Sequence, residues 1–257
     1  MLLAIDVGNT DTKLGCFAEG ESQLAHAWRI RTNSRRTADE LGVLFVQLLA
    51  TAQLRTSDVD AIVVASVVPN LDQTLEEACA RYFGREPSFF KAHRQKLMPI
   101  GTERPGEVGA DLVAAAIGGQ ELYGAPLIII SYGTATVFMA IDAHGLYLGV
   151  AIAPGINISI DALVERTAKL PQIALEAPGH ALGTDTISAL QSGIVYGFVG
   201  QTEALVARIR AELGVDAKVV ATGGMADVIA HHTKIIHAVN PNLSLFGLRR
   251  FYLDGKK

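Results

Sequence analysis

The sequence predicts an α/β fold of two similar domains, and three observations carry that prediction. Apolar, often β-branched runs at residues 61–68, 127–130 and 217–221 read as strands covered on both faces, as in parallel sheets. Windows of helical apolar periodicity separate them. One order of elements occurs twice: a hairpin with a Gly-Asn-Thr or Gly-Thr turn, a third strand, then helix, strand and helix. There is no short-period repeat, only this domain-scale echo. Two such domains facing each other bring both hairpin turns to one cleft. The boundary is expected near residues 110–124, giving domains 1–115 and 116–257.

Each element has a local reason. Residues 2–6 form an apolar run, Gly8-Asn9-Thr10 turns, and 12–17 alternate, which is a β-hairpin pattern. Residues 23–30 supply a third strand. Thr37 followed three residues on by Glu40 is a capping box opening a helix to about residue 53, with Leu41, Leu44, Phe45, Leu48 and Leu49 as its apolar face. The strand at 61–68 stops at Pro69, and 71–83 is a second amphipathic helix. The polar, Pro- and Gly-containing stretch 91–108 is a loop of functional length. Small residues at 110–122 predict a closely packed helix. Strands follow at 127–130, 134–141 and 146–152, with turns at Gly133 and His144-Gly145. Helices at 158–168 and 186–213, a strand at 217–221 closed by Gly223-Gly224, and a helix at 244–253 complete the chain. The 186–213 helix is sparsely charged before Glu203, which suits either an interface or a core position.

Composition narrows the function. The chain has 257 residues, of which 49% are hydrophobic and 19% charged, so it is neither disordered nor fibrous. A net charge of −4 leaves no nucleic-acid footprint. Cys16 and Cys79 form no CxxC and read as buried thiols of a cytoplasmic protein. Residues 1–5 precede Asp6 and are too short for a leader. The uncharged window 122–141 is long enough to span a bilayer, but Gly124, Pro126 and Gly133 break it, so strands explain it and no membrane partner is expected. His231, His232 and His237 lack metal-pair spacing, and Trp28 reads as core.

Five segments can carry chemistry. In Asp6-Val7-Gly8-Asn9-Thr10-Asp11-Thr12-Lys13, turn amides and hydroxyls can hold phosphate oxygens, and the carboxylate can hold Mg²⁺ or its waters. Asp6 is the informative residue, because a carboxylate after Leu-Leu-Ala-Ile is costly to bury alone. A plain hairpin turn remains the other reading. Ser131-Tyr132-Gly133-Thr134-Ala135-Thr136 sits at the matching point of the second half, with the same two readings. Gly109-Ala110-Asp111 opens a helix, so Asp111 is either a cap or a carboxylate placed to orient a substrate hydroxyl. Residues 149–155 and Ala221-Thr222-Gly223-Gly224 are glycine turns that let backbone approach a ligand.

Together these segments resemble the type III pantothenate kinase family of the acetate and sugar kinase–actin superfamily. Asp6–Thr10 resembles its DxGNT motif, Ser66-Val67-Val68-Pro69 its SxVxP, Gly109-Ala110-Asp111 its GxDR and Gly133-Thr134-Ala135-Thr136 its DxGTAT. Residues 149–155 resemble GxIxPG, 186–193 NTxxAxxSG, and 245–252 its closing Gly-Leu-Arg…Tyr helix. The ordered set spans nearly the whole chain. The resemblance implies two ribonuclease H-like domains of mixed sheet with an ATP cleft between them, and a homodimer. It implies ATP-dependent phosphorylation of pantothenate, the first step of coenzyme A synthesis. Asp6 to Lys13 and Thr134 would then bind ATP, with Asp6 on Mg²⁺. Thr102, Gly109, Ala110, Asp111 and Leu112 would hold pantothenate, Asp111 as proton acceptor and Thr186 across the dimer. A monovalent cation, K⁺ or NH₄⁺, would lie near the phosphates by Ser131.

Three positions depart from the family pattern: Ser131 replaces Asp, Leu112 replaces Arg, and Thr102 replaces Tyr in a loosely aligned loop. Arg104 is a candidate for the charge missing at Leu112. The departures frame two alternative expectations: a catalytically degenerate paralogue that binds nucleotide or pantothenate as a regulatory protein, or a kinase of another small hydroxylated substrate.

Overall fold

The computed structural model describes residues 1–167 and 169–256. They divide into two compact units: 1–99, 103–122 and 242–257 form the first, and 100–102 with 123–241 the second. In chain order the first unit contributes β1 (Leu2–Val7), β2 (Asp11–Phe17), β3 (Leu24–Arg31), α1 (Ala38–Thr51), β4 (Ala61–Ser66), α2 (Asp72–Phe83), β5 (Ser88–Phe89) and α3 (Ala110–Tyr123). The second holds β6 (Leu127–Tyr132), β7 (Ala135–Ile141), β8 (Tyr147–Pro154), α4 (Ile156–Arg166), α5 (Thr186–Leu213), β9 (Lys218–Thr222), α6 (Ala226–Ala230) and β10 (Ala238–Val239). The chain then returns to the first unit as α7 (Leu243–Asp254).

Each unit has a five-stranded sheet. The orders are β3-β2-β1-β4-β5 and, read from the same end, β8-β7-β6-β9-β10. In both, a three-stranded antiparallel meander joins two parallel strands. The expected duplication is therefore present strand for strand, as two ribonuclease H-like sheets with flanking helices.

In the first unit every residue of β1 is buried. Alternation sends Leu3, Ile5 and Val7 to one face, where α1 supplies Leu41, Phe45 and Leu49 and α2 supplies Leu75, Ala78 and Cys79. The opposite face receives Ala4 and Asp6, and α7 lies there: Leu245 fills the space over Gly15, and Phe246 stacks edge-on with Phe17 at 5.5 Å. α3 crosses α7 at glycines, since a Cβ on Gly118 would overlap the Leu243 carbonyl and one on Gly247 the Ala114 carbonyl. Residues 113–119 of α3 are accordingly all buried. The Thr37–Glu40 capping box forms as expected.

In the second unit Ile128, Ile130, Tyr132 and Phe138 pack under Ile156 and Ile160 of α4, Ile194 and Phe198 of α5, and Ile229 of α6. β8 is an edge strand that buries Tyr147 and exposes Leu148, Val150 and Ile152.

Several expectations need correction. The division does not run 1–115 and 116–257, because the glycine crossing holds all of α3 up to Leu122, and α7 with it, in the first unit. β4 ends at Ser66 rather than residue 68, because the Ser66 hydroxyl accepts the Val68 N–H at 3.2 Å and turns the chain. The helix expected at 158–168 starts at Ile156 and ends at Arg166, and Ala168 lies outside the described residues. Trp28 is half-buried at the edge of the core, its indole N–H donating to Thr51 Oγ1 at 3.1 Å. Both cysteines are buried free thiols. No helix among the described residues is long and apolar enough to cross a membrane.

Candidate active site

In the first unit β1 delivers Asp6 to its carboxyl end, opposite Lys13 of β2. Asp6 is 7% exposed. Its Oδ2 accepts a hydrogen bond from Ser244 Oγ of α7 at 2.5 Å, and its Oδ1 is buried with no partner among the described residues. Burial pushes its carboxyl above the ordinary range, opposed by the charge of Lys13 and the Ser244 hydroxyl. A buried carboxylate oxygen left without a partner is a polar site open to a further ligand.

The turn after Asp6 is braced from β3. Gly8 N–H donates to the Asp11 carbonyl at 3.0 Å, which closes the turn. Thr32 N–H donates to the Thr10 carbonyl at 2.8 Å, and Thr32 Oγ1 donates to the Gly8 carbonyl at 2.8 Å. Thr12 Oγ1 lies 2.8 Å from Thr32 Oγ1. Because the single Thr32 proton goes to Gly8, Thr12 is the donor of that pair. Thr12 is buried with its hydroxyl turned inward, whereas Asn9 and Thr10 are exposed at the tip and Asp11 is half-exposed.

Asp111 stands in the first turn of α3. Its Oδ1 accepts the Leu112 N–H at 2.9 Å. Burial, and then the nearby charge of Asp6, push its pKa up to about 6, against the backbone hydrogen bonds and Lys13. A Cβ at Gly109 would come within 2.6 Å of Asp111 Oδ1, so glycine there keeps room around the carboxylate. Asp6, Lys13 and Asp111 thus form one electrostatic cluster. Leu112 is half-buried beside it, and Arg104 is exposed with its guanidinium 3.1 Å from Glu107.

In the second unit Ser131 occupies on β6 the place that Asp6 occupies on β1, two residues before the turn glycine. Gly133 N–H donates to the Ala135 carbonyl at 3.1 Å, and Thr134 is exposed at the tip. Two further glycines press on this turn. A Cβ at Gly155 would overlap the Thr134 carbonyl, and Gly223, at φ +96°, lies against the Tyr132 carbonyl. Ser131 pairs in register with Thr222, whose Oγ1 is buried with no partner among the described residues. Thr102 follows the Gly101 N–H bond to the Tyr147 carbonyl at 2.8 Å, and its Oγ1 is likewise buried and unpartnered. Thr186 is exposed as the first residue of α5, behind the cap residue Asp185.

Sequence reading missed Ser244 and Thr32, and it named Thr222 only as part of a glycine turn. The donor set fits Mg²⁺, which takes one or two carboxylates and completes its shell with water and phosphate. The described residues hold no cluster of three or more His, Cys, Asp or Glu suited to a cage.

Duplicated ribonuclease H-like sheets carry a carboxylate, a lysine and a braced turn at the end of the first strand. The sequence profile of type III pantothenate kinase matches residues 2–208. The type III pantothenate kinase of Myxococcus xanthus (strain DK1622) is 46% identical over 252 residues, 98% of each chain. That of Anaeromyxobacter sp. (strain K) is 47% identical over 249 residues, 97% of each chain. Among solved structures, the activator of the 2-hydroxyisocaproyl-CoA dehydratase from Clostridium difficile shares the fold at TM-score 0.55 and 12% identity, covering 99% of this chain and 96% of that one. The chain belongs to the type III pantothenate kinase family.

Proposed function

We propose that the protein phosphorylates pantothenate with ATP, giving 4'-phosphopantothenate. Family membership and the paired Asp6 and Asp111 carry this reading. Transfer to a primary alcohol needs positioning and charge neutralisation more than covalent chemistry. The Gly8–Asp11 turn and Lys13 hold the phosphate chain. Asp6, with its open Oδ1, would hold Mg²⁺, which would supply charge neutralisation to the phosphates. Asp111 accepts a hydrogen bond from the substrate hydroxyl and takes its proton late, since an alcohol is far too weak an acid to ionise beforehand. Residues 109–112 line the acceptor side in the first unit. Arg104 is the nearby cation for the pantothenate carboxylate, its exposed pair with Glu107 being cheap to exchange.

A monovalent cation, K⁺ or NH₄⁺, fits the hydroxyls of Ser131 and Thr222, which are neutral oxygen ligands. The working form is a homodimer in the cytoplasm, with Thr186 reaching the partner's pantothenate. α5 supports the dimer, because Gly193, Gly197 and Gly200 share one exposed face with open space over each. A second helix can approach such a face closely.

ADP release from ATP, Mg²⁺ and pantothenate, with K⁺, NH₄⁺ or Na⁺ alone, tests the reading. Turnover should require pantothenate and respond to the cation, and Ser131→Asp should lower the half-saturating K⁺ by about tenfold. No ADP in any salt overturns it.

A further inference from the structure

The mechanism uses Asp6 but leaves unexplained why a carboxylate so deeply buried keeps one oxygen open. Its two oxygens differ in surroundings. Oδ2 takes the Ser244 hydroxyl at 2.5 Å, while Oδ1 has no hydrogen-bond partner among the described residues. Ser244 is 4% exposed on the first turn of α7. That turn is fixed from two sides, by the Gly118 contact with the Leu243 carbonyl and by Leu245 over Gly15. A hydroxyl on so rigid a base cannot follow a carboxylate that rotates. The groups facing Asp6 are then Lys13 from β2, Asp111 from α3 and Ser244 from α7.

We propose that Ser244 is a positioning residue: its hydroxyl, clamped on α7, holds Asp6 Oδ2 so that Oδ1 faces the metal–nucleotide site as a pre-set oxygen ligand. The proposal rests on the kinase reading and deepens it. Ligands of this kind owe their orientation to a partner behind them, and removing that partner typically weakens metal affinity by 10–100-fold. Ser244 touches neither substrate nor nucleotide in this scheme, so its effect is transmitted through Asp6 alone.

The test is calorimetric titration of the unsubstituted protein, Ser244→Ala and Ser244→Thr. Each is titrated with ATP plus Mg²⁺ and with ATP plus a chelator. Ser244→Ala should bind Mg²⁺·ATP about tenfold more weakly, with metal-free ATP changed less than twofold. Ser244→Thr keeps the hydroxyl and should restore Mg²⁺·ATP binding to within about twofold. Unchanged Mg²⁺·ATP affinity in Ser244→Ala overturns the proposal. So does an equal loss for both forms of ATP, which marks a structural role, or failure of Thr to rescue. Should Ser244→Ala not fold, Ser244→Cys replaces it, with a weak donor and an intermediate loss expected. Failure of the unsubstituted protein to bind Mg²⁺·ATP at all tells against the kinase reading itself.

Discussion

Asp111 sits where its charge is least comfortable, close to Asp6 and largely out of water. Its pKa is raised to about 6, so if Asp111 is the proposed base it should titrate within the working pH range. A base must be unprotonated, so kcat/KM should fall as pH drops below about 6. Asp111→Asn should lower kcat by roughly 10²–10⁴ while leaving ATP binding in place. Stability should move the opposite way. The folded pKa lies above the ordinary carboxyl value of 3.8, so the folded state holds its proton more tightly and loses stability as pH rises from 3.8 through about 6. Asp111→Asn should therefore melt about 2–4 °C higher at pH 8, with the gain fading toward pH 4. Melting curves at both pH values decide it. The site was legible in the sequence only in part. Asp6 announced itself as a carboxylate ending an apolar run, and Gly109 and Asp111 through their resemblance to GxDR. Ser244 and Thr32 gave no local signal, because each acts on a residue far away in sequence, 238 positions in the case of Ser244 and 24 for Thr32 to Gly8.

Most elements were legible because each carries its own period and its own stop. α1 has a capping box at Thr37, and α5 begins behind Asp185, whose side chain accepts the Ile187 and Ser188 N–H groups at 2.9 and 3.0 Å. The two-residue strands β5 and β10 and the short α6 were not legible, since so few residues show no periodicity and exist by pairing with or packing on a neighbour. The α3–α7 crossing was half legible: small residues announced a close approach, but not the helix that makes it. Helix propensity alone favours alanine over glycine by about 1 kcal/mol. At Gly118 the sign should reverse, because the new Cβ meets a backbone carbonyl that no rotamer change can move. Gly118→Ala should cost about 1–3 kcal/mol, read from urea denaturation midpoints. A stabilised variant would mean that the two helices part easily.

At the scale of the whole molecule, the proposed dimer has a clean probe in α5. Gly197 faces open space in the single chain, and leucine is the better helix former by about 0.8 kcal/mol. Gly197→Leu should leave each protomer folded while the sedimenting mass falls toward that of one chain. Retention of the dimer would move the interface elsewhere, to the apolar edge presented by Leu148, Val150 and Ile152 of β8. The boundary between units was the least legible feature, because the first unit is not one stretch of sequence. Its sheet is complete by Phe89, yet the helix covering the face that carries Asp6 comes from residues 243–254.

That return has a consequence for how the protein comes into being. A chain leaving the ribosome exposes one face of its first sheet throughout the synthesis of residues 123–241, and only then supplies the helix that covers it. Until that moment Asp6 lacks Ser244. A nascent or stalled chain therefore completes the turn after Asp6 early and gains the hydroxyl that holds Asp6 only with its last helix.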